Sequence, residues 1–533
     1  MKTLFKSNLL ASTGAKSVLL LAGFAVMAGC SEKSDTNMPA NPDTNIAESA
    51  SAETPAMGME GASDRLPATT SNRAALANYN AGWADFENSR FVTAYEHFES
   101  AASKDPSFTM AHVMAAWVAP STDGFVSYTN AASAIKAGAS EGEQQLVTML
   151  ERFLANDAEG ARDAAKKVTE LHPKSPRAWN FLGATHAGIN ETDAARKAYH
   201  MATKLDANFV PGFINLGNNY LTQEPKDFDK AESLFRKAVA LTPSEPNPHD
   251  LLGDVHRAQN KLEAAYDNYT MAAELAPDLG SGLQQRGHVN SFLGNFDEAR
   301  ADYNTAADLE DARGSTAGPN FRVFRAYVHL HEGMPNNAIA ELQGIADSLS
   351  GSSMDGADDI QIGALYNIAL IAIEEGKADI AAKAINDAGT IQMQQAERVK
   401  SDDIRNAGKA TQLYHQGLLA ARMGDSAKAE AKAGEFENLV AGNSNPRKFE
   451  RMHEILGMNA YQQGDFALAA EHFAKGNHVN NMYTKYYLAR AHEQAGNGEK
   501  AAKLYDEMAV YNFNGPGYAM FRKDIVERAG GTH

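Results

Sequence analysis

Four columns of residues recur in register along this chain. Gly183, Gly217, Gly253 and Gly287 are spaced by 34, 36 and 34 residues. Ala195, Ala231, Ala265 and Ala299 are spaced by 36, 34 and 34, each followed four residues on by an aromatic: Tyr199, Phe235, Tyr269 and Tyr303. Three residues later stands another alanine: Ala202, Ala238, Ala272 and Ala306. A period of this length means one small unit copied many times, stacked so that each copy covers its neighbour.

The unit reads as two helices and a turn. Trp179 and Leu182 share one face of a first helix at i, i+3, and Ala195, Tyr199 and Ala202 share one face of a second at i, i+4, i+7. "GINETD" between them, with Gly188 and Asn190, supplies the turn. Glycine inside a helix costs about 1 kcal/mol against alanine. Gly183 and Ala195 are therefore expected where the two helices cross, close packing offsetting that cost.

These residues resemble the tetratricopeptide repeat, with its pattern W-x2-L-G-x2-Y…A-x3-F…P. The chain reads Trp179-x2-Leu182-Gly183-x2-His186, then Ala195-x3-Tyr199, with Ala207 where the pattern has proline. The next unit reads Phe213, Leu216, Gly217, Tyr220, Ala231, Phe235 and Pro243, its two extra residues falling in "LTQEPKDFDK". An earlier unit carries Gly82, Ala94, Phe98, Ala101 and Pro106; later ones carry Gly457, Ala469 and Phe473, then Ala501 and Tyr505. Weaker units centre on Ala161, Ala338, Ala381 and Ala429. The resemblance implies an all-α fold, an α-solenoid (superhelix) of tetratricopeptide-type hairpins. It divides the chain into regular units over 72–313, a degenerate stretch over 314–445, and closing units over 446–533. "YAMFRKDIVERA" reads as a capping helix with Met520, Phe521 and Ile525 inward.

The first 29 residues read as a leader: Lys2, Lys6 and Lys16, then the 12-residue apolar run "SVLLLAGFAVMA", too short to span a bilayer. The run ends Met27-Ala28-Gly29-Cys30, which resembles the lipobox of bacterial lipoproteins. That resemblance implies that Cys30, the single cysteine, is acylated and becomes the mature N-terminus. Ser31 beside it resembles the outer-membrane sorting class. One cysteine provides no disulfide framework and no thiolate metal site. Residues 30–71, rich in Ser, Thr, Asn, Ala and Pro, read as a lipidated cysteine and a flexible tether to the solenoid. Net charge is −18, and −21 once the three leader lysines are removed. Such a chain repels nucleic acid and anionic membrane surfaces.

The histidines of "VHLHEG" (His329, His331, Glu332) and "AHEQAG" (His492, Glu493) form no HExxH and have no placed third ligand. GxxxxGK[ST] does not occur. No metal, cofactor or catalytic residue is expected. The resemblance instead implies a partner-binding groove on the first helices. Its residues are Arg177, Asn180, Asn218, Asp250, Asp254, Arg257, Gln284 and His288. Asp250 and Asp254 argue against capture of acidic tails. The function expected is a non-catalytic protein-interaction scaffold in the bacterial envelope, lipid-anchored at the outer membrane and facing the periplasm, with envelope proteins or peptide segments as partners. Two alternatives compete. One is a glycan-binding lipoprotein, opposed by a count of only three tryptophans. The other is an enzyme with its site in 314–445.

Overall fold

The structure, a computed structural model, describes residues 66–530. Within them the chain forms 25 α-helices, one short 3-10 turn and no strand. The leader, Cys30 and most of the tether lie outside the described residues. Among the described residues no helix is long and apolar enough to cross a membrane.

Twenty-four helices pair into twelve antiparallel hairpins. The first three pairs are α1 (Arg73–Glu87) with α2 (Phe91–Lys104), α3 (Thr109–Val118) with α4 (Thr122–Ile135), and α5 (Glu141–Leu154) with α6 (Ala158–Leu171). Next come α7 (Pro176–Gly188) with α8 (Thr192–Leu205), and α9 (Val210–Thr222) with α10 (Phe228–Leu241). Then follow α11 (Pro246–Ala258) with α12 (Leu262–Leu275), and α13 (Ser281–Leu293) with α14 (Phe296–Ala312). The middle holds α15 (Ala317–His331) with α16 (Pro335–Leu349), α17 (Ala357–Glu374) with α18 (Ala378–Val399), and α19 (Asp402–Arg422) with α20 (Ser426–Val440). Last are α21 (Glu450–Gln462) with α22 (Phe466–Lys475), and α23 (Met482–Gln494) with α24 (Gly498–Ala509), before the final helix α25 (Pro516–Arg528).

The glycine column has a sharper cause than close backbones. A Cβ at Gly183 would sit 2.5 Å from the Tyr199 ring, at Gly217 2.5 Å from Phe235, and at Gly253 2.4 Å from Tyr269. The same clash recurs from Gly82 to Phe98 and from Gly457 to Phe473. The second helix thus lays its aromatic ring directly on the glycine of the first. The alanine columns are wholly buried in the regular block and equally at Ala338, Ala381 and Ala429. The stretch 314–445 is therefore built of the same hairpins. Its sequence looks degenerate because its helices lengthen, to 22 residues in α18 and 21 in α19, which shifts the columns out of step.

Turns inside the hairpins share one device. Asn190 (φ 60°), Asn260 (φ 58°) and Gly294 (φ 81°) each end a first helix in the left-handed region, where Asn and Gly are least strained. The next backbone N–H then reaches back to the helix end, as Glu191 N does to His186 O (3.0 Å) and Lys261 N to His256 O (2.8 Å). It is Asn190, not Gly188, that makes the turn.

First helices of successive hairpins pack on one another, so they form the inner wall of the curve. The curve is tight enough for distant units to meet. Arg90 pairs with Glu245 (2.5 Å). Thr122 N–H and O–H both donate to Asp359 (2.9 Å each), and Arg398 bridges Asp123 and Asp358. Ser444 donates to Asp157 (2.6 Å). The last helix, read from the sequence as a cap, has more than one seat. Ile525 is buried and Phe521 stacks on Tyr486 at 4.0 Å, but α25 also packs against α15 and α17, far from its own hairpin.

Candidate functional site

The expected groove residues divide sharply by environment. Arg177 is held by Glu87 (2.6 Å) and lies over the Trp83 ring at 4.0 Å. Asn218 is half-buried, and its carbonyl accepts from Thr222. The other six are buried, so they do not stand open to a partner as the groove reading expects. Asn180 accepts from Asn215 (2.9 Å). Asp250 accepts from Gln285 Nε2, and Gln284 lies against His288 Nε2. Asp254 takes Arg257 Nη2 (2.6 Å) and Tyr269 O–H (2.8 Å). Arg257 also donates to Gln285 Oε1 (3.3 Å). These charges serve the interior of the hairpins as an ion pair and its hydrogen bonds.

Residues 511–514, between α24 and α25, reach this same wall. Asn512 Nδ2 donates to Asn260 Oδ1 (2.6 Å) and to Arg257 O (3.4 Å). The Phe513 ring lies 4.6 Å from the Arg257 guanidinium. Asn514 Nδ2 faces His288 Nδ1 (3.2 Å) and Tyr303 Oη (3.3 Å), and its Oδ1 accepts from His331 Nε2 (3.1 Å). Gln284 Nε2 faces the other ring nitrogen, Nε2; a neutral imidazole accepts at one nitrogen only, so one of the two amides must turn to present its oxygen. Burial drives the His288 pKa well below its ordinary value, and that of His331 to about 4, so both rings are neutral. Sequence reasoning missed this segment because a docking 183 to 255 residues away leaves no periodic trace. The available signal was "YNFNG" itself, too aromatic for a solvated connection.

The inner wall stays open further along. A cavity of about 390 Å³ is bounded by α17, α19, α20 and α21 and by residues 154–156 at the end of α5, with the loops before α21 and α23 closing it. Tyr366 and His415 stack inside it, with ring centroids 4.2 Å apart. His415 Nδ1 donates to Thr411 O (2.9 Å), and burial lowers its pKa to about 3. Glu454 is buried, which raises its pKa, while Asn477 N–H donates to it (3.0 Å). Both groups are thus explained by packing. Arg451 donates to Thr411 Oγ1 (3.2 Å). Arg447 forks onto Glu450 at 2.7 and 2.9 Å, and its buried Nη1 has no protein partner. Asn406 and Asp403 stand exposed at the rim. The wall offers amides and guanidinium donors to a polar segment.

The histidine pairs do not converge on a metal. His329 sits between Glu332 (3.4 Å) and Glu341 (3.2 Å), while His331 turns to Asn514. Among the described residues no three His, Cys, Asp or Glu side chains cluster to hold one. Trp83 is buried, Trp117 and Trp179 are half-buried, and Trp179 Nε1 donates to Pro173 O (2.9 Å); none forms an open sugar platform.

Family models described as tetratricopeptide repeat match residues 152–208, 281–312 and 456–519. The chain is similar to protein bimA of Emericella nidulans, 31% identical over 124 residues, which cover 23% of this chain and 15% of that protein. It is similar to Hsc70-interacting protein 1 of Drosophila melanogaster, 32% identical over 83 residues, or 16% of this chain and 22% of that one. It thus spans under a third of these curated relatives. Yeast Tom70 superposes with a TM-score of 0.40 at 14% identity, over 80% of this chain and 96% of that one. The helical hairpins, their glycine–aromatic contacts and the matched segments agree: this chain carries tetratricopeptide repeats, stacked into an all-α solenoid.

Proposed function

We propose that the protein is a non-catalytic protein-interaction scaffold, held to the bacterial envelope through an acylated Cys30 and working at the periplasmic side of the outer membrane. The observation that carries the interaction role is the cavity walled by α17, α19, α20 and α21. It lies on the inner side of the superhelix, where solenoids present concave binding surfaces. It is lined by Asn406, Asn443, Asn480 and Asn481 and by the Arg447 donor that no protein group satisfies. A partner segment rich in backbone carbonyl or carboxylate oxygens fits that chemistry. The name of the Drosophila relative, an Hsc70-interacting protein, points the same way. The regular block of α7–α14 is the lesser candidate, since its inner polar groups are engaged within the chain.

The test pairs two variants. Asp403→Arg with Asn406→Arg changes only exposed rim residues, so stability should stay within about 0.5 kcal/mol. Envelope proteins crosslinked to the wild-type chain in cells should be lost from this variant. If each is still captured, the cavity is not the binding surface. Cys30→Ser should abolish incorporation of labelled fatty acid and release the protein from membranes. Label on that variant removes the anchoring claim and leaves the cavity claim standing.

A further inference from the structure

The segment linking α24 to α25 is seated as a ligand would be. It is not apolar filler: its central residues are Asn512, Phe513 and Asn514, and each is read by a different part of the wall. Asn512 is wholly buried and satisfied at the α11 end, by Asn260 Oδ1 at 2.6 Å and by the Arg257 carbonyl. Phe513 packs on the Arg257 guanidinium, which the Asp254 carboxylate fixes in place. Asn514, only 2% exposed, uses both ends of its amide: N–H toward His288 and Tyr303, oxygen toward His331. Asn512 and Phe513 thus meet the α11 end of the wall, and Asn514 spans α13 and α15. The backbone is shaped for this entry, because Asn512 adopts φ 47°, a region asparagine tolerates better than most residues.

We propose that the inner wall of α11, α13 and α15 is a binding site for an extended asparagine–aromatic–asparagine peptide, and that residues 512–514 of this chain are its resident ligand. The site is separate from the α17–α21 cavity. A buried amide that finds no matching partner is costly, so such a wall discriminates by side-chain amides as well as by apolar surface. A segment tethered in the same chain acts at an effective concentration in the millimolar range. A free peptide of the same sequence is excluded until the resident loosens.

The experiment uses the full chain and a labelled peptide spanning Val510–Tyr518, followed by fluorescence anisotropy. The double substitution Asn512→Ala, Asn514→Ala weakens the resident segment and leaves every wall residue intact. This variant should bind the native peptide at least about tenfold more tightly than the wild-type chain does, by removal of the tethered competitor. A peptide with both asparagines replaced by alanine should bind neither protein. Hydrogen exchange on the variant should show residues 508–518 released. The proposal is overturned if the two peptides bind alike. It is equally overturned if the released variant binds neither, or if the segment stays protected without its asparagines. Should the variant fold poorly, the wild-type chain decides. Millimolar native peptide must accelerate exchange of its own residues 508–518, and the alanine peptide must not; equal effects sink the idea.

Discussion

At the scale of single residues, the column that announces the repeat is also the one least able to change. Gly217 lies under the Phe235 ring with no room for a Cβ. Gly217→Leu should destabilise by about 1–3 kcal/mol, the usual cost of overpacking, measured by denaturant unfolding. Asp254 is less obvious. Its position in the repeat suggested a groove-facing side chain, yet it pairs with an Arg257 that is wholly buried. Asp254→Ala should cost about 3–5 kcal/mol, because it leaves a buried guanidinium without its counter-charge. A loss under 1 kcal/mol would mean that the pair is weakly held. Buried histidines make stability depend on pH. His331 titrates at about 4 when folded, through burial opposed by the Asn514 hydrogen bond, against an ordinary 6.5. Between these values the unfolded chain binds the proton and the folded chain does not. The contribution is complete above pH 6.5 and is lost as pH falls toward 4. Thermal midpoints across that range should fall less steeply in His331→Gln.

Among elements, the hairpin was legible and its length was not. Helix faces, turn chemistry and the glycine–alanine–aromatic phase follow from local periodicity, which any window of the sequence displays. Pair α3/α4 carries none of these columns, and α17 to α19 stretch beyond them, because packing on both sides tolerates many apolar choices. The groove positions were legible as positions, but their burial was not. Whether Asp250 or His288 meets solvent depends on what lies across the superhelix, and periodicity is silent there. The cap was legible as an amphipathic helix, but its second seat on α15 and α17 was not. That seat makes a specific expectation. Removing residues 514–533 should raise hydrogen exchange at α15 as well as at α23, roughly 150 residues apart in sequence. Exchange confined to α23 and α24 would mean that the contact with α15 contributes little.

For the whole molecule, an ordinary solenoid couples only nearest neighbours. This one is also tied across its curve. Asp359 accepts from Thr122 twice and from Gln395, so one carboxylate on α17 holds the start of α4, 237 residues earlier. Asp359→Ala should therefore loosen residues 121–135 in hydrogen exchange, although no neighbour of α17 in sequence lies there. If the loosening stays within α16 to α18, the tie across the curve is not energetically significant. The seating of residues 511–514 has a further consequence, in time. The wall of α11 to α15 leaves the ribosome some 200 residues before the segment that fills it. At elongation rates of about 5–20 residues per second, about 10–40 s separate the synthesis of the wall from that of the segment that fills it. In that interval the imidazoles and guanidinium of the wall have no resident segment to meet, and the last-made residues are the ones that cover them.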